Sequence, residues 1–444
     1  MKNLFDVIVI GGGTAGVVAA IQASLAGART LLVEKTGQLG GTITTGGVDF
    51  PGLFHAWKRQ VIAGIGWELV QRCAAECGIP LPDAQSQDPN AHSLHHIRVN
   101  RALYPAICDE AVEKAGVGLQ LHTMVASLQQ CDDFWQVTLC SKNGLTVLKA
   151  RVVIDASGDA NAVALAGFAT ITPREVQPGT LVCRVSGYDP ATIDYDALRI
   201  AFEEEVRQGR LKHTDIGWSA THFQPKWVRK CGENSSHVIG INAGSSEGKT
   251  QLEMAARAAL LRLYRFLRRQ PGFERLNIDY TAPECGVRET VTIEGKARIS
   301  VEDYVSGRMW EDAVCYSFYP IDLHTADGKG LDCRPLSEGT VPTIPRGALL
   351  PAGSTNLIVA GRCVSSDRAA NSALRAQASC MAMGQAAGAM AALSALSGTE
   401  VEQLPINEIR ETLRKHGAIV PEPGSALAGV AVDAPTLLGR GLDV

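Results

Sequence analysis

Three titratable side chains stand out as able to do chemistry. Arg288 lies in Pro283-Glu284-Cys285-Gly286-Val287-Arg288-Glu289-Thr290, His324 closes Tyr319-Pro320-Ile321-Asp322-Leu323-His324, and Arg375 follows an alanine-rich stretch. A guanidinium fork clamps a carboxylate through paired hydrogen bonds. An imidazole accepts or returns a proton near neutral pH. Arg288 with Arg375 would therefore orient an anionic group, and His324 would act as acid or base. The plainer reading is that Arg288 and Glu289 only cross-brace two parts of the chain and that His324 is structural.

Those residues need a scaffold, and the first forty residues announce one. Val7 to Ile10 is an apolar, β-branched run, as in a strand buried on both faces of a parallel sheet. Gly11, Gly13 and Gly16 then give G-x-G-x-x-G at a strand-to-helix turn, followed by a helix over about Thr14 to Ala26 with Ala15 in its first turn. The first glycine permits the turn, the second admits a pyrophosphate to the backbone, and the third lets the helix lie on the sheet. A second strand, Arg29 to Val33, ends at Glu34, placed to accept from a ribose 2′-OH. Lys35 follows, and then Gly40, Gly41, Thr42 and Thr45 form a second cluster of glycines and hydroxyls. A simple NAD fold needs no such loop, whereas wrapping ribitol and pyrophosphate does.

On these residues the chain resembles the bacterial FAD-dependent oxidoreductase family, within the flavoprotein superfamily typified by glutathione reductase and fumarate reductase. The resemblance recurs at Asp155-Ala156-Ser157-Gly158-Asp159, at Gly286 to Thr290 with Tyr319 to His324, and at Leu357 to Asp367. It implies FAD, with adenine held near Met124 and Val125. It also implies that the Gly361 turn packs on the ribitol phosphate end, and that a helix over about Ser372 to Ala395, opening Ser372-Ala373-Leu374, aims its N-terminus at the flavin pyrimidine. Arg362-Cys363 stand where the superfamily usually has Gly-Asp, which leaves Arg362, Asp367 and Ser366 as candidates for the ribitol contact.

The remaining pattern fills in around this frame. Trp57 to Cys77 reads as a helix interrupted by Gly64 and Gly66, Pro80 to Asn90 as a surface loop, and Asn100 to Ala115 as another helix before Val117 to Leu121. Val125 to Leu128, Trp135 to Leu139 and Leu145 to Ala150 alternate as a meander, with Val152 to Ile154 as a separate buried strand. The expected fold is α/β: a discontinuous Rossmann-like FAD-binding domain with an inserted mixed α+β substrate domain. Its parts would be residues 1–165 and 343–400 for FAD, 166–342 for substrate, and 401–444 as a C-terminal helix, Ile406 to His416, and tail.

One segment competes for a different function. Ala243 to Thr250, AGSSEGKT, meets a loosened P-loop pattern between an apparent strand, His237 to Ile241, and a helix over Thr250 to Arg269. Glu247 would put an anion beside the phosphates, so the preferred reading is a loop with Thr250 capping the helix. A flavin module acting in RNA modification is the other alternative, opposed by a net charge of −4.

Composition sets the outer limits. Hydrophobic content of 45% in 444 residues supports ample cores, and 20% charge gives no basic footprint for nucleic acid or membrane. Twelve cysteines without CxxC spacing read as free thiols in a reducing, cytoplasmic setting, and neither they nor Cys73 with Cys77 make a metal site. No leader is expected before the first strand, and the apolar run Cys380 to Leu396 reads as a buried helix. The expected partner is a small-molecule substrate with an electron acceptor that the sequence does not identify; oligomerisation is open.

Overall fold

The computed structural model describes residues 4–82 and 97–422, so the loop read at Pro80 to Asn90 falls largely outside it, as does the tail beyond Glu422. A strand β1 (Leu4–Ile10), helix α1 (Thr14–Leu25) and strand β2 (Thr30–Val33) form the opening unit. The two strands pair in parallel, with Val7 opposite Thr30 and Ile10 opposite Val33. Val7, Ile8 and Val9 are fully buried, as expected for a strand covered on both faces.

The next segment departs from its helical reading. His55–Ala56 and Arg59–Gln60 pair as a two-residue hairpin, and Trp57 and Lys58 take φ of 51° and 64° to close it. Backbone committed to that left-handed turn cannot continue a helix. Helix α2 (Ile65–Glu76) therefore starts only after Gly64, at φ 84°. Helix α3 (Tyr104–Lys114) and strand β3 (Gly118–Gln120) follow, with β3 parallel to β2.

Strands β4 (Met124–Gln130), β5 (Trp135–Ser141) and β6 (Gly144–Asp155) form the antiparallel meander. The sequence divides β6 in two, but it is one 12-residue strand. Its first half pairs with β5 and its second half runs parallel to β1. That change of partner accounts for the change from alternating to continuous apolar pattern.

The inserted stretch builds small antiparallel sheets rather than extending the large one. β7 (Cys183–Ser186) lies between β8 (Gly232–Glu233) and β9 (Asn277–Thr281). Helices α4 (Tyr195–Arg207) and α5 (Ser246–Leu267) pack there around Phe202, Trp227, Phe266 and Phe273. The stretch His237 to Ile241 is not a strand; it makes one isolated bridge, Val238 to Gly179. A further hairpin, β10 (Ile321–His324) with β11 (Leu331–Arg334), carries the predicted histidine.

The chain then returns to the large sheet through β12 (Leu357–Val359), parallel to the end of β6. The single helix read after it is two: α6 (Arg368–Leu374) and α7 (Gln377–Ser397). Ala376 at ψ 136° separates them. Helix α8 (Ile406–Lys415) closes the described chain. α7 presses directly on α1, because a Cβ on Gly384 would lie 2.2 Å from the Ala15 carbonyl oxygen and one on Gly388 2.3 Å from that of Ala19. It is long and apolar enough to cross a membrane, yet 83% of its apolar window is buried inside the fold.

Candidate active site

One cleft of about 1360 Å³ runs along the C-terminal ends of β1, β2 and β6 into the inserted part. That exceeds the few hundred to about 1,000 Å³ of an ordinary small-molecule pocket. It has room for a dinucleotide together with a substrate.

Backbone builds its first part. Gly11 sits at φ 103°, where a Cβ would lie 2.6 Å from the Ala156 carbonyl oxygen. Gly11, Gly13, Thr14 and Ala15 line the cleft at the start of α1. Gly16 does not line it; a Cβ there would lie 1.8 Å from the Gly11 carbonyl oxygen, so its role is to seat the helix on the turn. Gly40 is also behind the wall, donating its N–H to the Gly12 carbonyl at 2.9 Å, while Gly41, Thr42 and Thr45 face the cleft. Glu34 accepts from Gly12 N at 2.6 Å and Thr36 N at 2.8 Å. A carboxylate has further lone pairs, so this leaves it able to accept a hydroxyl. Lys35, Met124 and Val125 line the same stretch.

Asp155 shapes the next wall. Its buried carboxylate accepts from Ser157 N and Oγ, Ala162 N and Val163 N at 2.6–3.0 Å, fixing the turn that presents Ala156, Ser157 and Gly158. Burial raises its pKa, and these donors oppose that. Gly361 and Arg362 lie opposite; Arg362 bonds the Gly158 and Val287 carbonyls and pairs with Asp159, tying two turns some two hundred residues apart. Three residues assigned to this wall are elsewhere. Asp367 caps α6, accepting from Ala370 N at 2.8 Å and Val301 N at 2.6 Å, and Ala373 and Leu374 are fully buried in the core. Ser366 is buried against Val364 and Asn371. For Ala373 and Leu374 the cause is the break after α6: only Ser372 of that helix reaches the cleft, and the helix start facing it belongs to α7, with Gln377 and Cys380.

Side chains build the inner part, and here Arg288, His324 and Arg375 meet. Arg288 is buried and donates to the Pro178 carbonyl at 2.7 Å, Thr180 Oγ1 at 2.8 Å and Asn234 Oδ1 at 3.0 Å. None of these acceptors is charged. It does not pair with Glu289, which instead binds Arg368 at 2.9 Å. Arg375 donates to the Asp322 carbonyl at 3.0 Å and Gln177 Oε1 at 3.3 Å and pairs with the Asp322 carboxylate at 3.4 Å. Burial and the neighbouring Arg375 lower the pKa of Arg288 to about 10, so it stays cationic near neutrality.

His324 Nε2 is 3.8 Å from Asp322 Oδ1, and its ring meets those of Trp218 and His237 edge-on at 5.1 and 4.8 Å. Burial, then the Arg288 charge, pushes its pKa far down. The imidazole is neutral, contrary to the expectation of a group poised near pH 7. His237, stacked on Trp218 at 5.6 Å, is likewise pushed down to about 2, by burial first. Sequence reasoning gave no role to Gln177, Trp218, Asn234 or His237. They stand on loops, without periodicity or motif to mark them.

The competing P-loop segment lines this cleft too, but its lysine is engaged. Lys249 Nζ donates to the Cys285 carbonyl at 2.9 Å and pairs with Glu253 at 3.1 Å and Glu284 at 3.3 Å. The cap of α5 is Ser245, accepting from Gly248 N at 3.1 Å, rather than Thr250, which lies a turn inside the helix.

The glycine cradle fits a pyrophosphate at a helix start. Thr45 Oγ1 and Gln377 Oε1, buried in the cleft wall without a partner, fit a polar ligand further in. The family model for FAD-dependent oxidoreductases matches residues 6–413. The chain belongs to that family. The cofactor of that family is FAD.

Among curated relatives, dihydrolipoyl dehydrogenase of Trypanosoma brucei brucei is 49% identical over 55 residues, 12% of each chain. Digeranylgeranylglycerophospholipid reductase 1 of Methanothermobacter thermautotrophicus is 26% identical over 187 residues, 40% of this chain and 45% of that one. The chain thus spans less than half the length of these relatives. A solved structure of a geranylgeranyl bacteriochlorophyll reductase-like protein from Thermoplasma acidophilum matches with a TM-score of 0.43 and 14% identity, covering 93% of this chain and 83% of that one. Among the described residues no group of three or more His, Cys, Asp or Glu could hold a metal, and the cysteines are free.

Proposed function

We propose that the protein oxidises or reduces a small, polar, anionic substrate held at the inner end of the FAD cleft. The observation that carries this reading is Arg288: a buried guanidinium whose hydrogen bonds go only to neutral acceptors, with a second guanidinium, Arg375, beside it. Together the two arginines face one nearby carboxylate, Asp322. A buried cation without full compensation is costly, and an anionic ligand supplies the missing charge.

In this reading residues 1–165 and 343–400 hold FAD and residues 166–342 supply the substrate side. Gly13 and α1 would hold the pyrophosphate, Glu34 the ribose, Met124 and Val125 the adenine, and the start of α7 the flavin end. Bound FAD supplies the redox chemistry, hydride exchange with the substrate. Arg288 and Arg375 bind and orient the anionic group. His324, neutral in the free site, accepts the substrate's exchangeable proton on a ring nitrogen or returns it. An anion beside the arginines cancels the charge that helps hold its pKa down and makes it a better base.

The test is anaerobic mixing of the flavin-loaded protein with anionic alcohols, amines and unsaturated acids and with the uncharged ester of each, all in oxidised and reduced form. The reading expects one of these to bleach the visible flavin absorption, or to restore it after prior reduction. Exchange of electrons only with uncharged compounds would overturn it.

A further inference from the structure

One short segment, Gln177 to Thr180, touches all three residues of the inner site. Its Pro178 carbonyl and Thr180 Oγ1 hold Arg288. Its Gln177 Oε1 accepts from Arg375 Nη2 at 3.3 Å and from the backbone N–H of His324 at 3.2 Å. Gln177 is itself fixed, since its backbone N–H donates at 2.8 Å to Glu289, which pairs with Arg368 at the start of α6. The residue is 2% exposed, and its Nε2 has no partner, as is true of Arg375 Nε.

The chemistry of the amide matters here. A buried arginine is most simply held by a carboxylate, and glutamate would have the same reach. Glutamate, however, would cancel the charge of Arg375. We infer that Gln177 is the positioning residue of the inner site, a neutral brace that fixes Arg375 and His324 while leaving the positive charge that Asp322 alone does not balance for a bound anion. This rests on the anionic-substrate reading above. Gln177 does not line the cleft; it acts through Arg375 and His324, which do.

The experiment uses the flavin-loaded full chain, titrated with oxalate and with sulfate at fixed ionic strength and followed by the visible flavin spectrum. Wild-type protein is expected to bind at least one of the two. Gln177→Glu, which keeps the acceptor and adds a charge, is expected to weaken that binding by about tenfold or more. It should also shift the flavin midpoint potential to a more negative value, which loss of local structure alone gives no reason to expect. Gln177→Met, which removes the acceptor without adding charge, is expected to weaken binding by about fivefold and leave the potential in place. If Gln177→Glu does not hold flavin, Gln177→Met decides alone. Binding by the variants within twofold of wild type would overturn the role of Gln177 and leave the anion site standing. Failure of wild type to bind either anion would overturn both.

Discussion

The two parts of the cleft are made of different materials. At the part lined by the glycine turn, which on the proposed reading holds the nucleotide part of FAD, the wall is backbone, and glycines are required because Gly11, Gly16 and Gly41 leave no space for a Cβ: it would meet a neighbour at 2.6, 1.8 and 2.7 Å. At the inner part the working groups are Arg288, Arg375 and His324, which come from three separated segments and are held by a fourth. The first part depends on what is absent from side chains. The second depends on charge and its incomplete compensation. One is therefore sensitive to volume and the other to electrostatics, which gives ways to break them separately.

The largest effect is expected at Gly16. Gly16→Ala forces its Cβ into the Gly11 carbonyl, so a stability loss of about 3 kcal/mol and near-complete loss of flavin should follow. The flavin-to-protein absorbance ratio and the thermal midpoint read both. Arg288→Met should spare the nucleotide part: flavin content is expected to hold while kcat/KM falls by about 100-fold, the loss of about 3 kcal/mol from a charged hydrogen bond.

Acid should weaken the inner part next. His237 and His324 have folded pKa values depressed below the unfolded value of about 6.5. Their neutral-state stability is complete above that pH and is lost as pH falls below it, because the unfolded chain then binds protons that the fold refuses. The slope is up to about 1.4 kcal/mol per pH unit for each histidine. Denaturant midpoints from pH 7 to 5 should show it, and His237→Leu should remove about half. The smallest effect is expected at Lys249→Ala, which breaks partly exposed pairs with Glu253 and Glu284 at the edge of the cleft. Stability should change by no more than about 1 kcal/mol with flavin content unchanged; loss of function there would revive the nucleotide-hydrolase reading.

The same contrast explains what the sequence made legible. The opening strand–turn–helix unit could be read because its requirements are local: strand, glycine spacing, helix and acidic residue lie within thirty residues, and β1, α1 and β2 formed where their pattern placed them. The turn at Asp155 to Asp159 could be read for the same reason. Arg288 and His324 were visible as residues, but their surroundings were not. Gln177 and His237 come from loops distant in sequence, and only packing reveals that burial holds His324 neutral. Ala373 and Leu374 were misplaced because of the extended Ala376, which alanine-rich composition conceals because both flanking segments favour helix; Asp367, a candidate because Arg362-Cys363 stand in place of Gly-Asp, is instead used to cap α6.

The most direct measurement of the central claim compares a substrate acid, once the anaerobic screen supplies one, with its own methyl ester in flavin reduction or reoxidation. The two share a reacting carbon and differ in the charge offered to Arg288 and Arg375. The account predicts that the ester is slower by at least about 100-fold in kcat/KM and that Arg288→Met erases most of this difference. Equal rates for acid and ester in the wild-type protein would contradict it.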